Sequence, residues 1–274
     1  MELIRPRPVY GVRNAPVYGN LELTAGSQNR LTSPQAFEFA KEHGGKLQGL
    51  GHAIVARAVL YKDDKETKQG LDGSNEYQKT STISLKFKDG EKVVAAFIEL
   101  DDDERSLALV QEGYTANNSG RELIKPLSDP LVSRLIEIAR ESGRICPALT
   151  KRLLELSTIQ KKGKSDYGYN TVIVAAVGSP EVAELNAGYL QEHGYNNGFF
   201  WDFTTSELEE KLSGTKDHAI IRPVGLGGGS YVDVYGIDAS YGNFGIVGRA
   251  RGVVHGEQKI SSGNKGRRTT KSRK

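Results

Sequence analysis

The sequence predicts an α/β protein, with a mixed α+β N-terminal half and a βαβαβ unit plus hairpin in the C-terminal half. Residues 171–177 (TVIVAAV) form an unbroken apolar run, typical of a strand buried on both faces. Ser179, Pro180 and Glu181 follow it with the cap, proline and acid of a helix start. Residues 198–203 and 217–222 are predicted as further strands, with a helix at 204–212 between them.

The N-terminal half mixes helix starts with hairpin signals. A serine directly followed by proline predicts a helix from Ser33, and Ser128–Pro130 predicts another that ends at Gly143. A further helix is predicted from Pro147. Runs at 80–87 and 92–100 flank an Asp-Gly pair and predict a β-hairpin. Residues 52–61 and 106–110 are predicted as strands, with helix left open for the first of these.

Composition shifts divide the chain into four predicted units. Residues 1–30, with their prolines and two copies of Pro-Val-Tyr-Gly, are predicted as an extended arm outside the core, able to pack on the body or on a second copy. Residues 31–160 are predicted as an α+β domain with two C-terminal helices, and 161–255 as an α/β domain with a C-terminal hairpin. Residues 256–274 are predicted as a disordered basic tail.

The composition of the whole chain indicates the cellular compartment that we expect for the protein. The chain has 274 residues, of which 37% are hydrophobic and 26% charged, as in ordinary globular proteins. It has no apolar run near the roughly 18 residues of a membrane helix, so no membrane partner is expected. Cys146 is the only cysteine and is interpreted as a buried structural thiol. These features predict a cytoplasmic protein.

Charge is segregated along the chain. The net charge is +3, yet residues 256–274 contain seven lysines and arginines and one glutamate, so the preceding residues are net acidic. A basic tail attracts phosphate backbones in a salt-sensitive way. Aromatic residues beside glycines in the C-terminal hairpin offer surfaces on which bases can stack. The residues predicted to bind nucleic acid are Arg249, Arg251, Lys265, Arg267, Arg268, Lys271, Arg273, Lys274, Tyr241 and Phe244.

Two glycine-containing loops are candidate phosphate sites. Backbone N–H groups of a helix start or a glycine-rich loop can converge on an anion, and an arginine upstream supplies positive charge. Capping at the first loop and a hinge at the second are the alternative interpretations. The predicted phosphate-binding residues are Gly178, Ser179, Arg222, Gly225, Gly227, Gly228 and Ser230.

A run of acids at the end of the second hairpin strand is the remaining candidate. Glu99 and Asp101–Glu104 have carboxylates that suit a metal ion, although four consecutive charges on a turn are more typical of a solvated surface. The five histidines lack zinc-ligand spacing. No metal and no cofactor are therefore predicted.

Three functions remain in view. The first is binding of RNA or single-stranded DNA, and its partner would be held through the tail in a salt-sensitive way. The second is an enzyme that binds a nucleotide or phosphorylated ligand at loops 178–181 and 225–230, with no catalytic residue identified. The third is a self-assembling, coat-like protein whose N-terminal arm contacts neighbouring copies. The tail and the aromatic strands agree with each other and favour the first.

Overall fold

The chain folds into a mixed α+β structure, as predicted. The computed structural model describes residues 9–60, 77–119, 121–151, 153–155, 170–192, 197–199, 203–214, 217–227, 244–245 and 247–255. In these residues seven α-helices accompany eleven strands, and the strand ladders are antiparallel. No helix in this part of the chain has the length and apolar character needed to cross a bilayer.

A five-stranded sheet forms the centre. Its order is β6 (Leu123–Pro126), β10 (His218–Leu226), β4 (Gln78–Asp89), β5 (Lys92–Glu99) and β7 (Ile145–Pro147). The predicted Asp-Gly hairpin is confirmed, because Asp89 pairs with Lys92 and Gly90 has a φ of +63°. The register then places Thr82 opposite Glu99 at the far end of the two strands.

A second sheet of four strands joins the two ends of the described chain. Its order is β1 (Val9–Ala15), β2 (Gly19–Thr24), β11 (Gly252–His255) and β3 (Lys46–Leu47). A small third sheet pairs β8 (Leu153–Glu155) with β9 (Asn197–Phe199). β11 therefore pairs with N-terminal strands, and residues 231–243 of the predicted C-terminal hairpin lie outside the described residues.

Helices cover both faces of the central sheet. On one face α1 (Ser33–Glu42), α3 (Glu104–Asn118) and α4 (Pro130–Glu141) share a hydrophobic cluster with Ile83, Leu85 and Ile98. On the other face α2 (Leu50–Val55), α5 (Thr171–Val177) and α6 (Pro180–Glu192) share a cluster with Phe97. A short helix, α7 (Thr205–Lys211), packs its buried Leu208 near Val93 in a third cluster.

The predicted helix starts are confirmed where a capping residue precedes proline. α1 begins at Ser33 with Pro34 in its first turn, and Asp129 caps α4 by accepting from the backbone N–H groups of Leu131 and Val132. α6 begins at Pro180, also as predicted, and α7 occupies the stretch predicted as a short helix. Strand β10 also forms where a strand was predicted.

The apolar run at residues 171–177 is a helix, so its assignment as the first strand of a βαβαβ unit is wrong. Asn170 caps this helix by accepting from the N–H groups of Val172 and Ile173. Gly178 ends it with a left-handed φ of +82°. An apolar run without periodicity fits a helix buried on most sides as well as a strand, and here the two ends decide the structure.

Three other predicted elements also differ. Residues 52–61, assigned to a strand, lie largely in α2 and a following π-helical turn, Ala56–Leu60. Residues 106–110 belong to α3, because the Asp103 carboxylate caps it through the Ser106 N–H at 2.8 Å. In place of the helix predicted from Pro147, Ile145–Pro147 and Leu153–Glu155 are strands.

The described part of the N-terminal arm belongs to the core. β1 and β2 form a hairpin, and Leu21 and Leu23 are fully buried in the larger hydrophobic cluster. The prediction that residues 1–30 stay outside the core is wrong for these strands, because alternate residues of β2 face inwards. The division of the chain into four units stays a prediction, and the basic tail lies outside the described residues.

Gly113 and Gly188 provide a matched test of helix packing. A Cβ atom on Gly113 of α3 would fall on the ring of buried Phe244, whereas one on Gly188 of α6 meets nothing within 4 Å. We expect Gly113→Ala to lower the free energy of unfolding by about 1–3 kcal/mol. Gly188→Ala should raise it by about 0.5–1 kcal/mol. Urea unfolding of both variants checks this, and equal effects would contradict the close packing of Phe244 on α3.

Lys79 gives a pH-dependent expectation. Its ammonium is buried on β4 and donates to the Ser33 hydroxyl at 3.0 Å, and burial lowers the pKa of Lys79 to about 7. Between that pH and the ordinary lysine pKa of roughly 10.4, the unfolded chain binds more protons than the folded one, so stability should rise with pH. Lys79→Met should flatten this rise in urea unfolding. The exposed control Lys92→Met should retain it, and an unchanged slope in Lys79→Met would refute the assignment.

Candidate functional site

The described residues predicted to bind nucleic acid lie mainly inside the protein. The Arg249 guanidinium donates to the backbone oxygens of Ser27 and Gln28, and Arg251 is only 3% exposed. Phe244 is buried in the cluster shared by α1, α3 and α4. Tyr241, Lys265, Arg267, Arg268, Lys271, Arg273 and Lys274 lie outside the described residues.

Two of the predicted phosphate residues cap helices. Gly178 supplies the left-handed end of α5. The Ser179 hydroxyl accepts from the Val182 N–H at 3.1 Å and so caps α6. These bonds explain both residues structurally, and a phosphate role for the turn stays a prediction.

The other predicted phosphate residues lie on or after β10. The Arg222 guanidinium lies 4.2 Å from the centre of the Phe203 ring, and Gly225 lies under the Tyr77 ring, where a Cβ atom would collide. The Gly227 carbonyl accepts from Arg57 at 3.1 Å. Gly228 and Ser230 lie outside the described residues, so this loop also stays a prediction.

A cleft of about 770 Å³ opens where the two larger sheets meet, and we call it the polar cleft. It lies between the end of α1, β3, β11, the start of α2 and the end of β5. Basic, acidic, hydroxyl and apolar side chains share its wall. Its lining residues are Lys41, Gly44, Gly45, Lys46, Leu47, His52, Ser81, Glu99, Leu100, Asp101, Asp102, Val253 and Val254.

Glu99 is the best-positioned side chain of the polar cleft. One carboxylate oxygen lies 3.4 Å from Nη1 of Arg144, and the other lies 3.9 Å from Nδ1 of His52. A Cβ atom on Gly49 would collide with this carboxylate, so glycine there leaves the space that Glu99 fills. Glu99 is 24% exposed, which leaves part of its charge open to the cleft.

Arg144 holds Glu99 to the end of α5. Its Nε donates to the Ala175 carbonyl at 2.8 Å and its Nη2 to the Ala176 carbonyl at 2.6 Å. These carbonyls belong to the last turn of a helix, which lacks intrahelical donors and carries the negative end of the helix dipole. One buried guanidinium thus satisfies a helix end and a cleft carboxylate together.

His52 and Tyr18 form the inner side of the same site. Their ring centres are 4.1 Å apart, and the Gly49 N–H donates to His52 Nδ1 at 3.2 Å, which places the proton of a neutral ring on Nε2. Burial, and secondarily the Glu99 carboxylate, raises the pKa of Tyr18, so its hydroxyl stays protonated. That hydroxyl has no hydrogen-bond partner among the described residues.

Ser81 supplies a hydroxyl with unused hydrogen-bonding capacity. It is 3% exposed and lines the polar cleft, and its backbone bonds Gln48 and Leu100. Within the described ranges its hydroxyl makes no hydrogen bond. Because Ser81 lines the cleft, a molecule in the cleft can donate to this hydroxyl or accept from it.

The mouth of the cleft carries solvent-exposed charges. Lys46 Nζ lies 3.1 Å from Asp101, but both side chains are more than 60% exposed, so this pair contributes little to stability. Asp102 makes no ion pair with any described residue. The acids named from the sequence thus reach the cleft in part, through Glu99, Asp101 and Asp102. The described residues hold no group of three or more metal-ligating side chains.

Comparison with known proteins adds one finding. No protein-family model matches the sequence, and no curated protein matches it. One solved structure is similar to this chain, and it is described as "Accommodation of massive sequence variation in Nanoarchaeota by the C-type lectin fold". The match covers 93% of this chain and 100% of that chain, with a TM-score of 0.52 and 13% sequence identity. The two chains share a fold.

The prediction of RNA or single-stranded DNA binding is wrong. The structural match indicates a lectin-like fold and gives no support for nucleic-acid binding. The geometry agrees, since Phe244 and Arg251 are buried and the Arg249 guanidinium bonds backbone oxygens. Charge segregation was observed correctly, but it does not identify the partner.

Arg144 allows a direct test of the site's support. Arg144→Met removes two helix-end hydrogen bonds and leaves Glu99 without its cation, so we expect a loss of about 2–4 kcal/mol in the free energy of unfolding. The exposed control Arg140→Met should change little. A double-mutant cycle with Glu99→Gln, measured in urea, isolates the ion pair. Additive losses would show that the two side chains do not cooperate.

Proposed function

We propose that this chain is a binding protein whose polar cleft takes a hydroxyl-rich small ligand of the saccharide class. The observation that carries the proposal is the Ser81 hydroxyl, which lines the polar cleft without an internal partner among the described residues. A ligand hydroxyl can both donate to and accept from such a group.

The rest of the wall matches the chemistry of a polyol. Glu99 and Asp102 accept hydrogen bonds from ligand hydroxyls, and Lys41 donates them. Leu47 and Val253 provide apolar surface for carbon-bound hydrogens. A cleft of this size, in which polar groups converge beside apolar side chains, is large enough for a small molecule.

Preorganisation supports binding at Glu99 in particular. Arg144 holds the carboxylate and Gly49 packs against it before any ligand arrives, so little conformational freedom is lost there on binding. The matched structure is described as using this fold to accommodate massive sequence variation. Tolerance of surface change on a constant scaffold suits a binding protein, because recognition resides in the site and not in the fold.

The test is direct titration of the native chain with a panel of neutral monosaccharides and disaccharides, followed by calorimetry and ligand-observed NMR. We expect millimolar or tighter binding of at least one member. Ser81→Ala should weaken it by roughly tenfold, equivalent to the loss of one buried hydrogen bond of about 1–1.5 kcal/mol. Asp102→Asn should also weaken it.

Asp89→Asn is the matched control, because Asp89 is exposed at the β4–β5 turn, at the opposite end of the hairpin from Glu99. It should leave affinity unchanged. Absence of binding across the panel would refute the saccharide class. Binding that survives both Ser81→Ala and Asp102→Asn unchanged would refute the polar cleft as its location.

A further inference from the structure

A second cavity lies beside the polar cleft, between α1 and α3, with a volume of about 720 Å³; we call it the acidic groove. Pro34, Phe37, Leu107 and Ala108 give it an apolar floor. The polar residues around this floor are Glu38, Lys41, Glu42, Asp102, Glu104 and Gln111. The groove and the cleft share Lys41 and Asp102, so the two openings are contiguous.

The charge of the groove is unbalanced. It has four carboxylates and one lysine, and within the described residues none of these acids makes an ion pair or hydrogen bond. Glu38 and Glu42 lie one turn apart on α1, both exposed. An apolar floor with negative charge around it complements a segment that has an aliphatic side chain beside several cations.

The sequence contains such a segment next to the groove. β11 ends at His255, and Val253 and Val254 of this strand line the contiguous cleft. Residues 256–274, which lie outside the described residues, hold seven lysines and arginines and one glutamate. Their single aliphatic side chain larger than alanine is Ile260, directly after Lys259.

We propose that the acidic groove is the docking site for the chain's own basic segment, residues 256–274, with Ile260 on the apolar floor and Lys259 against the carboxylates of α1. Ile260 is the fifth residue after His255, so the chain between them has an extended reach of roughly 17 Å. Covalent connection also raises the effective concentration of the segment to the millimolar range.

The basic segment would occupy the acidic groove, whereas a saccharide would occupy the polar cleft, so docking does not depend on saccharide binding. Because the attraction is between exposed charges, docking weakens as salt screens them over a Debye length of about 10 Å at 0.1 M ionic strength. When the segment is docked, its cations lie against the carboxylates of the protein's own acidic groove.

The test is limited trypsin digestion of the native full chain at low salt, in which mass spectrometry measures the rate of cleavage after Lys259 and Lys265. Docking shields these bonds. Glu38→Lys with Glu42→Lys should accelerate cleavage roughly fivefold, the effect of losing about 1 kcal/mol of exposed charge attraction. Ile260→Ser should accelerate cleavage after Lys265. Adding Lys259→Glu to the Glu38→Lys, Glu42→Lys variant should make cleavage after Lys265 slow again.

The matched control is Glu137→Lys with Glu141→Lys, an equally spaced and exposed pair in the last turns of α4. It should leave the rate unchanged. Equal rates in the native chain and the α1 variant would overturn the proposal, as would equal acceleration by the α4 variant. Protection that grows with protein concentration would overturn it in favour of docking into a second copy.

Discussion

The guanidinium of Arg144 hydrogen-bonds the carbonyls at the end of one helix, and this interaction determines how the candidate site is built. Arg144 follows α4, donates to two carbonyls at the end of α5 and contacts Glu99 at the end of β5. Burying a charged group this deeply is unfavourable unless each donor finds an acceptor. The position of Glu99 in the polar cleft therefore depends on α5 being a helix that ends at this point. The geometry of the site is thus determined together with the packing of α2, α5 and α6 on that face of the central sheet.

The same dependence explains why glycines surround the site. Gly49 leaves room for the Glu99 carboxylate, and Gly51 leaves room for the Tyr18 hydroxyl and the Val177 carbonyl. Neither needs a left-handed backbone, so their role is close approach and not conformational freedom. A side chain at either position would push α2 away from β5 or from the end of α5, and the contacts of His52 would change with it.

Local signals in the sequence predicted local structure well. The serine-proline and Asp-Pro helix starts and the Asp-Gly hairpin are determined by neighbouring residues, and the structure confirms them. Residues 171–177 were misassigned because burial on most sides removes the periodicity that separates helix from strand. Of the site, the sequence indicated Glu99, Asp101 and Asp102 as neighbouring acids. His52, Ser81 and Arg144 were missed because tertiary packing brings them to Glu99, and no spacing in the chain reports that packing.

The polar cleft lies at a junction that the backbone itself holds together. The Gln48 N–H donates to the Arg251 carbonyl beside β11, and the Gln48 carbonyl accepts from the Ser81 N–H in β4, so one residue links the two larger sheets. Leu47 and Val253 line the cleft from one sheet, and Ser81 and Glu99 line it from the other. A ligand that contacts both walls binds only while this junction is intact. The binding energy of such a ligand would therefore add to the stability of the junction, as for any ligand that binds only the folded arrangement.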